Sequence, residues 1–162
     1  MICMERDHMK KIMFICLGNI CRSPMAEFVM KELVREKGEE DLFYIASSAT
    51  SREEIGNDIH YGTKRILDEM NVPYKKRGAV QLTRADYEKY DLLIAMDTSN
   101  LRGIARIMGG DPENKVHLLL EYAGENGSIA DPWYTGDFRT TYRDVLRGCE
   151  GLYRAIKRER NR

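Results

Sequence analysis

The chain has 162 residues, enough for one domain with a substantial core. Its 26 Lys and Arg balance 26 Asp and Glu, so no global field draws it to nucleic acid or to a membrane surface. At 43% hydrophobic and 32% charged it has the composition of an ordinary folded globule.

No stretch approaches the ~18 apolar residues of a spanning helix, and the start lacks the apolar core of a signal peptide. The cytoplasm is therefore the expected compartment. Four cysteines at irregular spacing fit reduced thiols better than a disulfide framework. Residues 1–10 are mixed and read as a flexible leader ahead of one domain over 11–162. Cys3 in that leader and Cys149 late in the chain are expected to be bystanders.

Lys11-Ile12-Met13-Phe14-Ile15 has the length and residue types of a buried strand. Cys16-Leu17-Gly18-Asn19-Ile20-Cys21-Arg22-Ser23-Pro24 follows. Beyond it, Met25, Phe28, Val29, Leu33 and Val34 recur at helical spacing as far as Gly38. Ser23 suits an N-cap and Pro24 the first helical position, so a tight loop joins strand to helix. Gly18 and Asn19 tolerate left-handed backbone angles, and a loop bent that way turns successive N–H groups inward as an anion nest. The helix N-terminus adds free N–H groups and the positive end of its dipole.

That arrangement favours the anionic form of Cys16 and so a nucleophilic sulfur. Arg22 offers a planar fork for two oxygens of a phosphate, and Ser23 a hydroxyl that can donate to the sulfur. The loop is too short for a Walker cradle and lacks its Gly-Lys-Ser/Thr ending. The pattern asks for a single phosphate-like group attacked by sulfur, with Leu17, Gly18, Asn19, Ile20, Cys21 and Ser23 around it.

Phe43-Tyr44-Ile45-Ala46 reads as a second strand, and Ser47-Ser48-Ala49-Thr50-Ser51 as a polar loop facing the phosphate loop. Ile59, Thr63, Ile66, Leu67 and Met70 keep helical spacing up to Asn71-Val72-Pro73. Lys75-Lys76-Arg77 is a basic patch, either a solvated loop or an aid to acidic phosphopeptides. Thr83 to Tyr90 reads as a short helix, with Asp86 three residues after Thr83 as in a capping box. Asp91–Asp97 and Val116–Leu120 are two further strands. Between them a helix capped by Thr98 or Ser99 ends at Gly109-Gly110-Asp111-Pro112. A polar loop over Glu121–Ala130 leads to Asp131-Pro132-Trp133-Tyr134. The last helix runs from Phe138 with Tyr142, Val145, Leu146, Cys149, Leu152, Tyr153 and Ile156 on one face. Alternating strands and helices predict an α/β fold with a parallel sheet covered on both faces.

The string Cys16 to Ser23 resembles the phosphate loop of the low-molecular-weight protein tyrosine phosphatases: Cys, five residues, Arg, Ser. The resemblance extends through Pro24-Met25-Ala26-Glu27, typical of bacterial members, and through Ala95-Met96-Asp97 and Ser99-Asn100-Leu101. It implies a three-layer α/β/α fold with a four-stranded parallel sheet in the order 2-1-3-4, which puts the cysteine loop at the switch point where open α/β sheets bind ligands. It also implies phosphotyrosine proteins as substrates, a bacterial tyrosine kinase as their source, and no cofactor, metal, nucleic acid or membrane. Asp131 resembles the aspartate of the family's Asp-Pro-aromatic-Tyr segment, the general acid that protonates the leaving group and then activates water. Trp133, where tyrosine is usual, and Tyr134 would wall the entrance. Ala46 stands where aspartate is common and Glu53 where an aromatic wall is common. Glu53 reads either as a solvated side chain or as one that weakens stacking and disfavours acidic peptides. Cys21 reads either as packing or as a partner that captures oxidised Cys16.

Other functions are conceivable on the same frame. Thiol-dependent arsenate reductases use this loop but relay a disulfide through further cysteines, and none lies between Cys21 and Cys149. Protein arginine phosphatases resemble this chain but carry threonine where Ile20 stands. A non-catalytic phosphate-binding regulator would not need Cys16, Arg22 and Asp131 together. His8, His60 and His117 are scattered, and Cys16 and Cys21 lack zinc-ligand spacing.

Overall fold

A computed structural model describes residues 9–161. β1 (Lys10–Cys16) is buried at every position from Ile12 to Cys16, as a strand covered on both faces must be. It begins one residue before the expected domain start because Lys10 already pairs with Phe43. The rest of the expected leader, residues 1–8 with Cys3, lies outside the described residues.

β1 pairs in parallel with β2 (Phe43–Ala49) and β3 (Leu92–Ala95), and β3 pairs with β4 (Val116–Leu118). The order is β2-β1-β3-β4, as expected. Four helices of two turns or more flank the sheet: α1 (Arg22–Glu36), α2 (Tyr61–Glu69), α4 (Thr98–Met108) and α6 (Phe138–Arg160). Two short ones complete the set, α3 (Ala85–Lys89) and α5 (Pro132–Thr135). Alternate side chains of β1 feed two cores. Ile12 and Phe14 join α1 and α6, while Met13 and Ile15 meet Ile104 and Met108 of α4. None of the helices described is long and apolar enough to cross a membrane.

Several boundaries differ from expectation. β2 runs on through Ser47 and Ser48 to Ala49, because Cys16 pairs with Ala49 at the end of β1; these serines are strand, not loop. β4 stops at Leu118, and Leu119–Ala123 form a 3₁₀ turn that packs beneath α6. β3 ends at Ala95, and the cap of α4 is Asp97 rather than Thr98 or Ser99. Its carboxylate accepts the Asn100 N–H at 2.7 Å, and the Asn100 side chain returns the bond, closing a capping box. The short helix near Thr83 is α3, whose Asp86 carboxylate accepts the Thr83 N–H at 2.9 Å.

Candidate active site

The chain leaves β1 at Cys16, the C-terminal end of a central strand, where neighbours lie on both sides. The loop that follows is held from outside by its carbonyls. Those of Cys16, Leu17, Ile20 and Cys21 accept from the Thr50, Ser51 and His60 N–H groups and the Thr63 hydroxyl at 3.0, 3.0, 2.9 and 3.2 Å. The Asn19 carbonyl accepts from the Arg77 guanidinium. Carbonyls drawn outward leave amides facing inward, and the Asn19 N–H meets Cys16 Sγ at 3.3 Å.

Asn19 takes the left-handed conformation, at φ 59°, as the sequence suggested, whereas Gly18 does not. Glycine serves there for a different reason. A Cβ on Gly18 would come within 3.2 Å of Glu54 Cγ at the mouth of the pocket. α1 also starts earlier than expected. Arg22 is its first residue and Cys21 its N-cap, with no side chain closing the end. Ser23 does not cap because its hydroxyl is engaged below the loop: Oγ lies 3.1 Å from Cys16 Sγ, accepts from Asn19 Nδ2 at 2.8 Å and reaches Ser48 O at 3.4 Å. The uncapped amides at the start of α1 remain for an anion.

Asn19 is the hub of the support. Its Nδ2 also donates to Ser47 Oγ at 2.9 Å, Oδ1 accepts from the Val80 N–H at 3.2 Å, and Ser47 in turn donates to Glu27 at 2.6 Å. Asn19 and Ser23 are buried beneath the loop rather than lining the pocket. The pocket itself is lined by Cys16, Leu17, Gly18, Ile20, Cys21, Arg22, Glu53, Glu54, Asp131, Trp133 and Tyr134.

Arg22 is only 2% exposed. Nη1 donates to Asp97 Oδ2 at 2.7 Å and to Ile129 O at 2.8 Å, and Nη2 reaches Asp131 Oδ2 at 3.4 Å. Burial works against its charge, but Cys16, Asp97 and Asp131 outweigh burial and raise its pKa. Asp131 caps α5, with Oδ1 accepting the Trp133 N–H at 3.0 Å. Burial, then the neighbouring Cys16 and Asp131, push the Cys21 thiol up to about 12, so Cys21 stays protonated beside Cys16. Cys16, Cys21 and Cys149 are all buried free cysteines.

Residues 11–162 match the profile of the family described as Low molecular weight phosphotyrosine protein phosphatase. The chain belongs to this family. It is 34% identical over 154 residues to the Low molecular weight protein-tyrosine-phosphatase YfkJ of Bacillus subtilis, covering 94% of this chain and 99% of that protein. The crystal structure of YfkJ superposes with a TM-score of 0.90 over 93% of this chain and 96% of that one. A low-molecular-weight phosphatase from Streptococcus pyogenes, SP-PTP, is 41% identical, with a TM-score of 0.80 over 89% and 91% of the two chains. A Drosophila arginine phosphatase is 28% identical, with a TM-score of 0.81 over 91% and 98%.

Within this phosphatase family chain, sequence reasoning missed four contributors. Asp97 was visible only as part of a signature, with no role. Ser47 was placed in a loop. Arg77 was read with the exposed Lys75 and Lys76 as a basic patch, yet it turns inward to the phosphate loop and to Asn57 O at 3.1 Å. His60 reads in the sequence as one of three scattered histidines, whereas its ring meets Trp133 and Phe138. Asp97, Ser47 and Arg77 lie 75, 28 and 58 residues from the loop residues they contact, so only the fold brings them together.

Proposed function

We propose that the chain hydrolyses phosphotyrosine in proteins through a cysteinyl-phosphate intermediate, with Cys16 as nucleophile, Arg22 as phosphate clamp and Asp131 as general acid and base. The reading rests on one observation above all. Cys16 Sγ lies under an inward-facing amide and the Ser23 hydroxyl, in a pocket that Arg22 and Asp131 also line.

The phosphoryl group sits in the nest, and sulfur attacks phosphorus as the P–O bond to the tyrosyl oxygen breaks. Asp131 gives its proton to the departing phenolate. Water then attacks the cysteinyl phosphate, Asp131 takes the water's proton, and the S–P bond breaks to return the thiolate. Ser23 suits the second step, since its hydroxyl can rotate from Ser48 O to donate to the departing sulfur. Arg22 spans the equatorial oxygens in both steps.

Ile20 lines the pocket as an apolar side chain, which suits a phenyl phosphate over a guanidinium phosphate, and Trp133 and Tyr134 give it an aromatic wall. The expected source of substrate is a tyrosine kinase, and the expected compartment is the cytoplasm. The test is turnover of phosphotyrosine, phosphoserine and phosphoarginine peptides by the wild type and Cys16→Ser. Phosphotyrosine turnover is expected to vanish in the variant while vanadate still binds. Clear residual turnover in Cys16→Ser would overturn the covalent route, and preference for phosphoarginine would overturn the substrate assignment.

A further inference from the structure

His60 stands behind the pocket, where the phosphate loop, α2, α5 and α6 meet. Its N–H donates to Ile20 O of the phosphate loop at 2.9 Å. Its Nδ1 accepts the Gly62 N–H at 3.0 Å and so caps α2. Its ring stacks on Phe138, the first residue of α6, with centroids 5.2 Å apart and 13° between planes. On another side it stacks with Tyr61 at 4.4 Å, and it meets Trp133 edge-on at 5.6 Å. There is no slack in this packing: a Cβ on Gly62 would come within 2.4 Å of the Phe138 ring.

Asp131, whose carboxylate meets Arg22 Nη2 at 3.4 Å, opens the short turn that carries Trp133 to this junction. α5 is a single four-residue turn whose backbone bonds close on themselves, Tyr134 and Thr135 to Asp131 O and Gly136 to Pro132 O. An isolated turn has no stability of its own. It is tethered upstream by Ile129 N–H to Met96 O at 2.8 Å and by the Thr141 hydroxyl to Ala130 O at 3.2 Å. On the side of Trp133, which is half exposed, the ring it meets is that of His60.

We propose that His60 is a positioning residue: its neutral ring, held by the Gly62 N–H, fixes the Asp131–Trp133 turn against the phosphate loop. The proposal rests on the reading of Asp131 as the general acid. An acceptor Nδ1 leaves the proton on Nε2, and protonating Nδ1 would set it against the Gly62 donor. Burial lowers the imidazole pKa, while Asp131 and Glu54, the charged groups that face it, act the other way. The cap and stack therefore persist at neutral pH and weaken only as pH falls below the ordinary histidine value of about 6.5.

Trp133 is the one tryptophan of the chain, so intrinsic fluorescence reports on this contact directly. His60→Asn keeps a capping acceptor and removes the ring. His60→Phe keeps a ring and removes the acceptor. In His60→Asn the Trp133 emission is expected to move to the red. Its kcat/KM on phenyl phosphate, which reports only the steps through leaving-group departure, should fall by about 10-fold, within the ~10²-fold that a 1 Å misplacement of a catalytic group costs. Its kcat/KM on p-nitrophenyl phosphate and its inhibition by inorganic phosphate should change little. His60→Phe is expected to restore the emission and the leaving-group dependence at a lower melting temperature. In the wild type the emission should titrate with a midpoint below about 6.5. Wild-type emission and leaving-group dependence in His60→Asn would overturn the proposal. Asp131→Asn in the same series separates the two readings. A loss there confined to the poor leaving group, with none in His60→Asn, overturns the positioning role alone. Equal losses of kcat/KM on both substrates in Asp131→Asn overturn the acid reading, and the positioning role with it.

Discussion

Arg22 occupies surroundings that ordinarily expel a charge, and two carboxylates and a carbonyl hold it there. Asp97 and the Ile129 carbonyl take Nη1, which fixes the plane of the guanidinium and leaves its other edge for the pocket. Asp97 therefore has two contacts, capping α4 with one oxygen and holding the Arg22 guanidinium with the other. Asn is also a good N-cap, so Asp97→Asn separates them. Losing a hydrogen bond to a charged group costs about 2 kcal/mol, and that loss should appear as a lower melting temperature together with weaker inhibition by inorganic phosphate. Unchanged phosphate inhibition would assign Asp97 to the helix cap alone. The sequence showed Cys16 and Arg22 because their chemistry is compressed into one loop, whose residue types carry the backbone bend as well. It showed Asp97 only as a letter in a signature, since its partner is 75 residues away.

At the level of elements, residue type and spacing located the four strands and the long helices of the described residues, and the misplaced boundaries have separate causes. Ser23 suits a local cap, but it turns to Cys16 and Asn19, so α1 opens uncapped at Arg22, whereas at α4 the carboxylate of Asp97 takes the cap ahead of Thr98 and Ser99. Ser47 and Ser48 looked like loop by composition, but pairing with β1 carries β2 through them. α6 holds a further feature that its apolar stripe did not reveal. Gly148 and Gly151 face the 3₁₀ turn, and a Cβ at Gly151 would lie 1.9 Å from Tyr122 O. Backbone cannot swing aside as a flexible side chain can. Alanine gains about 1 kcal/mol of helix propensity over glycine. Overpacking typically costs 1–3 kcal/mol, and here the clash is with backbone at the centre of the helix. Gly151→Ala is therefore expected to lower the unfolding free energy by up to a net ~2 kcal/mol, read as a lower midpoint of urea unfolding. A midpoint at or above wild type would mean that α6 can slide off the turn freely.

Across the whole molecule, the phosphate loop is the place where otherwise separate parts are tied together. β1 supplies Cys16 at the switch point, and the carbonyls of the loop collect donors from the end of β2, from the segment before α2, from α2 itself and from Arg77. The order of the sheet was legible through the family resemblance, but this lacing was not, because it is made of backbone groups that carry no residue signature. Its consequence is thermodynamic. An anion in the nest satisfies inward amides and Arg22 only while all of these segments are in place, so binding should stabilise the entire fold and not merely the loop. At 100 times the dissociation constant, a ligand of the native state adds about 2.7 kcal/mol. For a domain of 150–250 residues each kcal/mol raises the melting temperature by about 2–4 °C, so saturating inorganic phosphate should raise it by roughly 5–10 °C. Sodium chloride at the same ionic strength provides the control for general salt effects. Arg22→Lys keeps the charge but loses the bidentate fork, so it should need a higher phosphate concentration for the same rise. A wild-type melting temperature indifferent to phosphate would show that the loop does not hold the anion in the free enzyme, and Arg22→Lys behaving as wild type would move the clamp to another residue.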